Sequence, residues 1–218
     1  MDEWRRIAGE QAGLITRDQL NKAGVRPQQV ARRIRGERWQ NLTNTVIGTT
    51  TGALTDEARL WLGVLHGGPG ALLTGVHAAA LHGLKNWQRD TILIALPFLA
   101  RMTPELEGYH YIRMRRDIGP LRSSAVAIPC TRPAVAVLNF AARERNQRVR
   151  DGILAAAVQQ RVVTVEDLQS TLASLGRIRW KVTMRAMLGE IAGGCSRSLS
   201  STSLACAVLP GSRCRSGR

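Results

Sequence analysis

The chain has 218 residues, 44% of them apolar, which is enough to build one large domain or two small ones around a real core. It carries 31 lysine and arginine residues against 16 acidic ones, for a net charge of +15. Nearly all of this charge is arginine, since the only lysines are Lys22, Lys85 and Lys181. The excess indicates an acidic partner, nucleic acid first. A GC-rich genome also favours arginine codons. The position of the charge must therefore decide between a nucleic-acid partner and codon bias as the cause of the arginine excess.

The sequence lacks the features of secreted and membrane proteins. Its N-terminus, MDEWRRIAGEQAG, carries acids and arginines where a signal peptide needs an apolar run. The longest apolar stretch, residues 91–100, is too short to span a bilayer. The cysteines are too irregularly spaced for a disulfide framework or a zinc site: Cys130, Cys195, Cys206 and Cys214. We therefore expect a cytoplasmic protein with no metal and no cofactor.

Two short helices are predicted at the N-terminus. Apolar residues at helical spacing indicate a first helix from Asp2 to Gln11, which Gly13 ends. In the following LITRDQLNKAG, Thr16 is a suitable N-cap, and Gly24 can supply the left-handed residue that ends a helix of about two turns.

A third helix is predicted from Pro27 to Arg35, because proline suits the first helical position and Gly36 suits the C-cap. Val30 and Ile34, four residues apart, share its buried stripe. The outward positions then carry amides and guanidinium groups: Gln28, Gln29, Arg32, Arg33 and Arg35. Glutamine can pair bidentately with adenine and arginine with guanine, so this face is typical of a recognition helix in the major groove. A basic, solvated surface helix would show the same pattern.

The segment after this helix is predicted to form a small β-hairpin. The string QNLTNTVIGTTTG is rich in threonine, valine and isoleucine and contains turn signals. Three helices followed by a hairpin is the order of a winged helix-turn-helix, which we assign to residues 1–52 and expect to bind duplex DNA. Phosphate contacts are expected from Arg26 and Arg38 at the ends of the third helix, and a wing contact from Asn44.

Residues 53–194 are predicted to form a second, mixed α+β and helical unit, so the chain as a whole falls in the α+β class. A helix capped by Thr55 is followed by the breaker Gly67-Gly68-Pro69-Gly70. A short strand and a small-residue helix follow, then three strands in TILIALP, YHYIRMR and AVAIP, and a helix in RPAVAVLNFAARE. From about residue 148 onward the pattern is helical, with Thr164 as a further N-cap.

No motif for catalysis is found, and we expect a protein that is not an enzyme. The sequence GGPGALLTG lacks the lysine of a phosphate-binding loop, and GxSxG and HExxH are both absent. His77 and His82 are five residues apart, a poor spacing for two metal ligands on one helix face. The four histidines are therefore interpreted as core or surface residues.

Several weak motifs together carry a family resemblance over most of residues 4–194. They are the N-terminal three-helix pattern, LTDEAR at residues 54–59, GPGALL at 68–73 and AALHGL at 79–84. With these the chain resembles antitoxins of the AbiEi type. The resemblance implies a DNA-binding transcriptional regulator that represses its own operon and opposes a nucleotidyltransferase-type toxin. The chain departs from the family pattern at Thr45-Val46-Ile47, where Gly-Val-Tyr is usual, and at Asn139, where aspartate is usual.

The C-terminal residues 195–218 contain no acid and hold three of the four cysteines. Longer members of the family continue into a domain resembling very-short-patch-repair nucleases. When the tail is back-translated and the frame is moved by one base, the permitted codons from Leu199 onward include ELDFARLCRAAGLPLPVR, which matches the helix that enters that domain. We therefore interpret residues 195–218 as an out-of-frame, disordered tail. Two alternatives remain open: the front half of a nuclease-related protein that lost its catalytic domain by frameshift, and a purely protein-binding antitoxin.

Overall fold

A computed structural model of the protein describes residues 2–100 and 105–195, with only the backbone at residues 194 and 195. The disordered tail was predicted as residues 195–218; Cys195 is the last residue of a helix, and residues 196–218 lie outside the described residues. The described part combines helices with two small sheets, which confirms the α+β class.

The first six elements form an N-terminal unit of three helices and one sheet. They are α1 (Glu3–Glu10), β1 (Leu14–Thr16), α2 (Arg17–Lys22), α3 (Pro27–Arg35), β2 (Gln40–Asn41) and β3 (Val46–Gly48). The sheet is antiparallel with the strand order β1-β3-β2. The three predicted helices and the hairpin are confirmed, whereas β1 was not predicted as a strand.

Local signals in the sequence set the helix ends in this unit. The Thr16 hydroxyl accepts a hydrogen bond from the backbone N–H of Gln19, and the Gln19 side chain accepts one from the backbone of Thr16. This reciprocal pair satisfies two backbone donors that would otherwise be unpaired at the start of α2. Gly24 follows with a φ of +76°, a left-handed conformation that most other residues disfavour.

The remaining elements pack around a second sheet of three strands. They are α4 (Asp56–Gly67), β4 (Leu72–Thr74), α5 (Gly75–Leu81), β5 (Ile92–Pro97), β6 (Tyr109–Met114), α6 (Pro133–Arg143), α7 (Gln147–Gln159), α8 (Val165–Ser174) and α9 (Lys181–Cys195). In this sheet β5 lies between the other two strands, antiparallel to β4 and parallel to β6. Thr55 and Thr164 cap α4 and α8 as predicted, each accepting from a backbone N–H three residues on.

The predicted strand AVAIP at residues 125–129 is wrong. This segment consists mainly of bends, and within the described residues the strand pairing next to it is limited to two isolated bridges, Leu73 with Cys130 and Arg122 with Thr131. A strand needs a neighbouring backbone over several residues, and this segment meets β4 only at its end. Its apolar residues contribute to packing instead, as the burial of Ile128 shows.

The small N-terminal sheet separates two cores. Successive side chains of a strand point to opposite faces, so Ile15 and Ile47 pack against the helices of the N-terminal unit. Leu14 and Val46, on the opposite face, belong to the larger core formed by α4 to α9 and the second sheet. The two predicted units therefore share this sheet as their contact.

Candidate nucleic-acid interface

The candidate interface is built on α3, which has one buried and one exposed face. Val30 is buried in the N-terminal core, and Ile34 packs against that core. Pro27 occupies the first helical position, where its missing N–H costs no hydrogen bond. At the same end the Gln29 side-chain oxygen accepts from the backbone N–H of Arg26 at 3.0 Å. The helix is thus fixed with its polar face toward solvent.

Most of the residues predicted to contact DNA are exposed. Those on α3 are Gln28, Gln29, Arg32 and Arg35, those at its ends are Arg26 and Arg38, and Asn44 lies in the hairpin turn. Arg32, Arg35 and Arg38 have no side-chain hydrogen bond or ion pair within the described part of the chain. Their donors are therefore available to a ligand. The oxygen of Gln29 is occupied by the cap, which leaves its NH₂ group as the free donor.

Arg33 was predicted as an outward contact residue, and this prediction needs correction. Its guanidinium lies 4.7 Å from the ring centre of Trp4 and 4.5 Å from that of Trp39, and the side chain is half-buried. The two indoles meet edge to face at 5.0 Å. A guanidinium between two aromatic faces is held there by cation–π attraction, so Arg33 joins α3 to α1 and to the start of the hairpin.

Arg17 holds the hairpin, although the sequence did not single it out. Its Nε donates to the backbone oxygen of Asn44 and its Nη2 to the side-chain oxygen of Asn41, both at 3.0 Å. The Thr43 hydroxyl closes the turn by accepting from the backbone N–H groups of Thr45 and Val46. Arg17 is 24 and 27 residues away from its partners, so no local pattern could have revealed the contact.

The unpaired positive charge of the N-terminal unit concentrates on and around α3. On α1, by contrast, Arg6 pairs with Glu10 at 2.8 Å and Arg5 with Asp2 at 3.5 Å. Lys22 on α2 pairs with Asp18 at 2.7 Å. No acidic residue is present in α3 itself. Within the N-terminal unit, the cations without an acidic partner among the described residues thus lie mainly on α3 and at its two ends.

The histidines do not form a second site of obvious chemistry. His66 is buried, with its ring 5.9 Å from Tyr111 and its Nδ1 3.5 Å from the Thr45 hydroxyl. Burial lowers the pKa of His77, whose Nδ1 is shielded from solvent. Within the described residues, no group of three or more histidine, cysteine or acidic side chains is placed to hold a metal ion.

Comparisons with known proteins add evidence on the fold. No protein-family model matches the chain, and no curated protein matches it. Among solved structures, the chain is similar to the RV2827C protein from Mycobacterium tuberculosis, with a TM-score of 0.50 and 19% sequence identity. The match covers 92% of this chain and 82% of that one. At this identity the likeness concerns the fold alone, and the AbiEi resemblance stays a prediction.

No helix in the part of the chain that the structure describes has both the length and the apolar character needed to cross a membrane.

Proposed function

We propose that the N-terminal unit is a winged helix-turn-helix that binds duplex DNA, with α3 in the major groove and the β2–β3 hairpin as the wing. The observation that carries the proposal is the exposed face of α3: its cations Arg32 and Arg35 have no side-chain partner among the described residues, and the opposite face of the helix is buried. Such a helix can place its side chains on base edges only if they are not engaged elsewhere, and Gln28, Arg32 and Arg35 make no side-chain hydrogen bond or ion pair in the part of the chain that the structure describes.

The order of the elements supports this proposal. Two short helices joined through Gly24, followed by an antiparallel hairpin, match the arrangement in which the second helix of the pair reads the groove. Arg26 and Arg38 are exposed at the two ends of α3, where the phosphates that flank the groove pass. Arg17 holds the hairpin turn in place, so that Asn44 at its tip is presented in a fixed position.

We further propose that the protein acts as an antitoxin-like transcriptional regulator, in which DNA binding represses its own operon and the second unit binds a nucleotidyltransferase-type toxin. This part rests on the resemblance to AbiEi antitoxins in the motifs at residues 54–59, 68–73 and 79–84. It is tested by measuring whether the purified chain binds its own promoter and whether it co-purifies with the product of a neighbouring toxin-like gene.

The DNA-binding proposal is tested by fluorescence anisotropy with the promoter duplex at several salt concentrations. Replacing Arg32 and Arg35 together by alanine should weaken binding and lower the salt slope by roughly one unit for each phosphate that is no longer neutralised. Arg33 is unsuitable for this test because its loss also disturbs the packing of α1. A matched control is Arg6→Ala with Lys22→Ala, which removes two exposed cations that are already paired with acids. Equal affinity and equal salt slope in the α3 double variant and the wild type would overturn the proposal.

A further inference from the structure

A second cationic site lies far along the chain from α3. A cavity of about 480 Å³ opens between the end of β6, the end of α6 and the loop from α8 to α9. Four arginines line it: Arg143, Arg145, Arg177 and Arg179. The other lining residues are Ile112, Met114, Asn139, Ala142 and Ile178, so none of the residues that line the cavity is acidic. We refer to it as the arginine pocket.

Among the residues that the structure describes, no acidic side chain forms an ion pair with an arginine of the arginine pocket. Arg145 and Arg177 are exposed and have no side-chain hydrogen bond or ion pair within the described residues. Arg143 lies 3.2 Å from the Nε2 of His110, so its partner is an imidazole nitrogen and not a carboxylate that would neutralise its charge. Glu144, the acid next to it in sequence, pairs with Arg89 at 3.4 Å and accepts from the backbone N–H of Asn146. The nearest acid in sequence thus has other partners.

The loop that carries Arg177 and Arg179 is held in place by other cations. Lys181 donates to the backbone oxygens of Ala173 and Gly176 at 3.1 and 2.9 Å. Arg116 donates to the backbone oxygens of Ser174 and Leu175. These bonds satisfy carbonyls at the end of α8 that lack helical partners. The loop is therefore held by Arg116 and Lys181, while among the pocket arginines Arg179 lies over the Trp180 ring at 4.7 Å.

The floor of the arginine pocket is partly apolar and contains one buried amide. Asn139 is 8% exposed, and its side-chain nitrogen donates to the Thr74 hydroxyl at 2.9 Å, which fixes the orientation of the amide. Ile112 and Ile178 lie beside it in the lining. A ligand that fits has a strongly anionic part for the guanidinium groups and a less polar body for the floor. Guanidinium groups bind phosphate oxygens bidentately, and several of them together suit a group of more than one negative charge.

We propose that the arginine pocket binds the polyphosphate of a small phosphorylated ligand of the nucleoside triphosphate class. The inference is independent of DNA binding by α3, because the two sites have no residue in common. The phosphates of a DNA backbone offer the same chemistry, so the experiment must separate the two sources.

The test is isothermal titration calorimetry of the full chain with ATP and with inorganic tripolyphosphate, without Mg²⁺, at about 0.15 M salt, where surface charges are largely screened. Binding of both probes is expected. Arg145→Ala with Arg177→Ala should weaken it at least tenfold, since each replacement removes charge-assisted hydrogen bonds. Asn139→Asp, which places a carboxylate on the floor, should weaken it as well. The matched control is Arg148→Ala with Arg185→Ala, which removes two exposed arginines outside the pocket and should change the affinity less than twofold.

Each outcome bears on the proposal. Equal losses in the pocket variant and the control would overturn it, because the effect would then be one of net charge. A second outcome is that the wild type binds neither ATP nor tripolyphosphate, and that the pocket variant loses more affinity for a DNA duplex of unrelated sequence than the control variant does. The site then binds DNA phosphates, and the small-ligand proposal is wrong. The α3 double variant should bind ATP like the wild type even where it no longer binds DNA. If the alanine variant does not fold, as judged by circular dichroism, Arg145→Gln with Arg177→Gln takes its place.

Discussion

Replacing Arg33 by alanine should destabilise the protein, whereas replacing its neighbour Arg32 should not. Arg33 makes cation–π contacts with both Trp4 and Trp39, at 4.7 and 4.5 Å. Each such contact contributes about 0.5–1 kcal/mol at an exposed site, so losing both should lower the free energy of unfolding by about 1–2 kcal/mol. For a chain of this length, 1 kcal/mol corresponds to roughly 2–4 °C in Tm, and the expected decrease is about 2–8 °C.

Differential scanning calorimetry of the two alanine variants measures this difference. Arg32→Ala is the matched control, because Arg32 is exposed on the same helix and has no side-chain partner within the described residues. Its effect should stay within about 0.5 kcal/mol. Arg33→Lys should recover only part of the loss, since an ammonium keeps the charge but lacks the planar group that stacks on the indoles. If Arg33→Ala and Arg32→Ala unfold at the same temperature, the structural role of Arg33 is refuted.

Three further predictions concern other parts of the molecule. Arg17→Ala removes two hydrogen bonds to the hairpin turn, so amide hydrogen exchange in residues 42–46 should accelerate, and unchanged exchange there would contradict the contact. Burial lowers the pKa of His77 from 6.5, so the imidazole binds a proton more readily in the unfolded chain than in the folded one. Tm should therefore decrease as the pH falls below 6.5. If the Tm of a His77→Gln variant decreases equally steeply over this pH range, His77 is not the cause. Burial raises the pKa of the Cys130 thiol to about 11, so peptide mapping after iodoacetamide treatment at about pH 8 should show Cys130 labelled only in denaturant. Rapid labelling of Cys130 in the native protein would disagree with its burial.

The sequence predicted best those features that depend on neighbouring residues. The proline at position 27 and the glycine at position 36 mark the ends of α3, because one suits the start of a helix and the other its end. The threonines that cap α2, α4 and α8 were identified for the same reason, since a cap and its backbone partner are three residues apart. The exposed face of α3 followed from the helical period, apart from Arg33.

The errors arose where a partner lies far away in the chain. The strand β1 is three residues long and exists because β3 lies beside it, about thirty residues later. The AVAIP segment has strand-like composition but meets β4 only at its end, and it therefore remains irregular. Arg33 could not be distinguished from Arg32 on α3, because its partners Trp4 and Trp39 come from outside the helix.

The amino-acid sequence by itself determined the helices, their caps and the basic face of α3, since these depend on contacts within a few residues. Only the tertiary structure decided which arginines remain free. It placed Arg33 between two indoles and Arg17 against the hairpin, and it brought Arg145 and Arg177 to one cavity from segments some thirty residues apart. The physical reason is that the availability of a charge depends on what folding places beside it, and the composition of the chain does not contain that information.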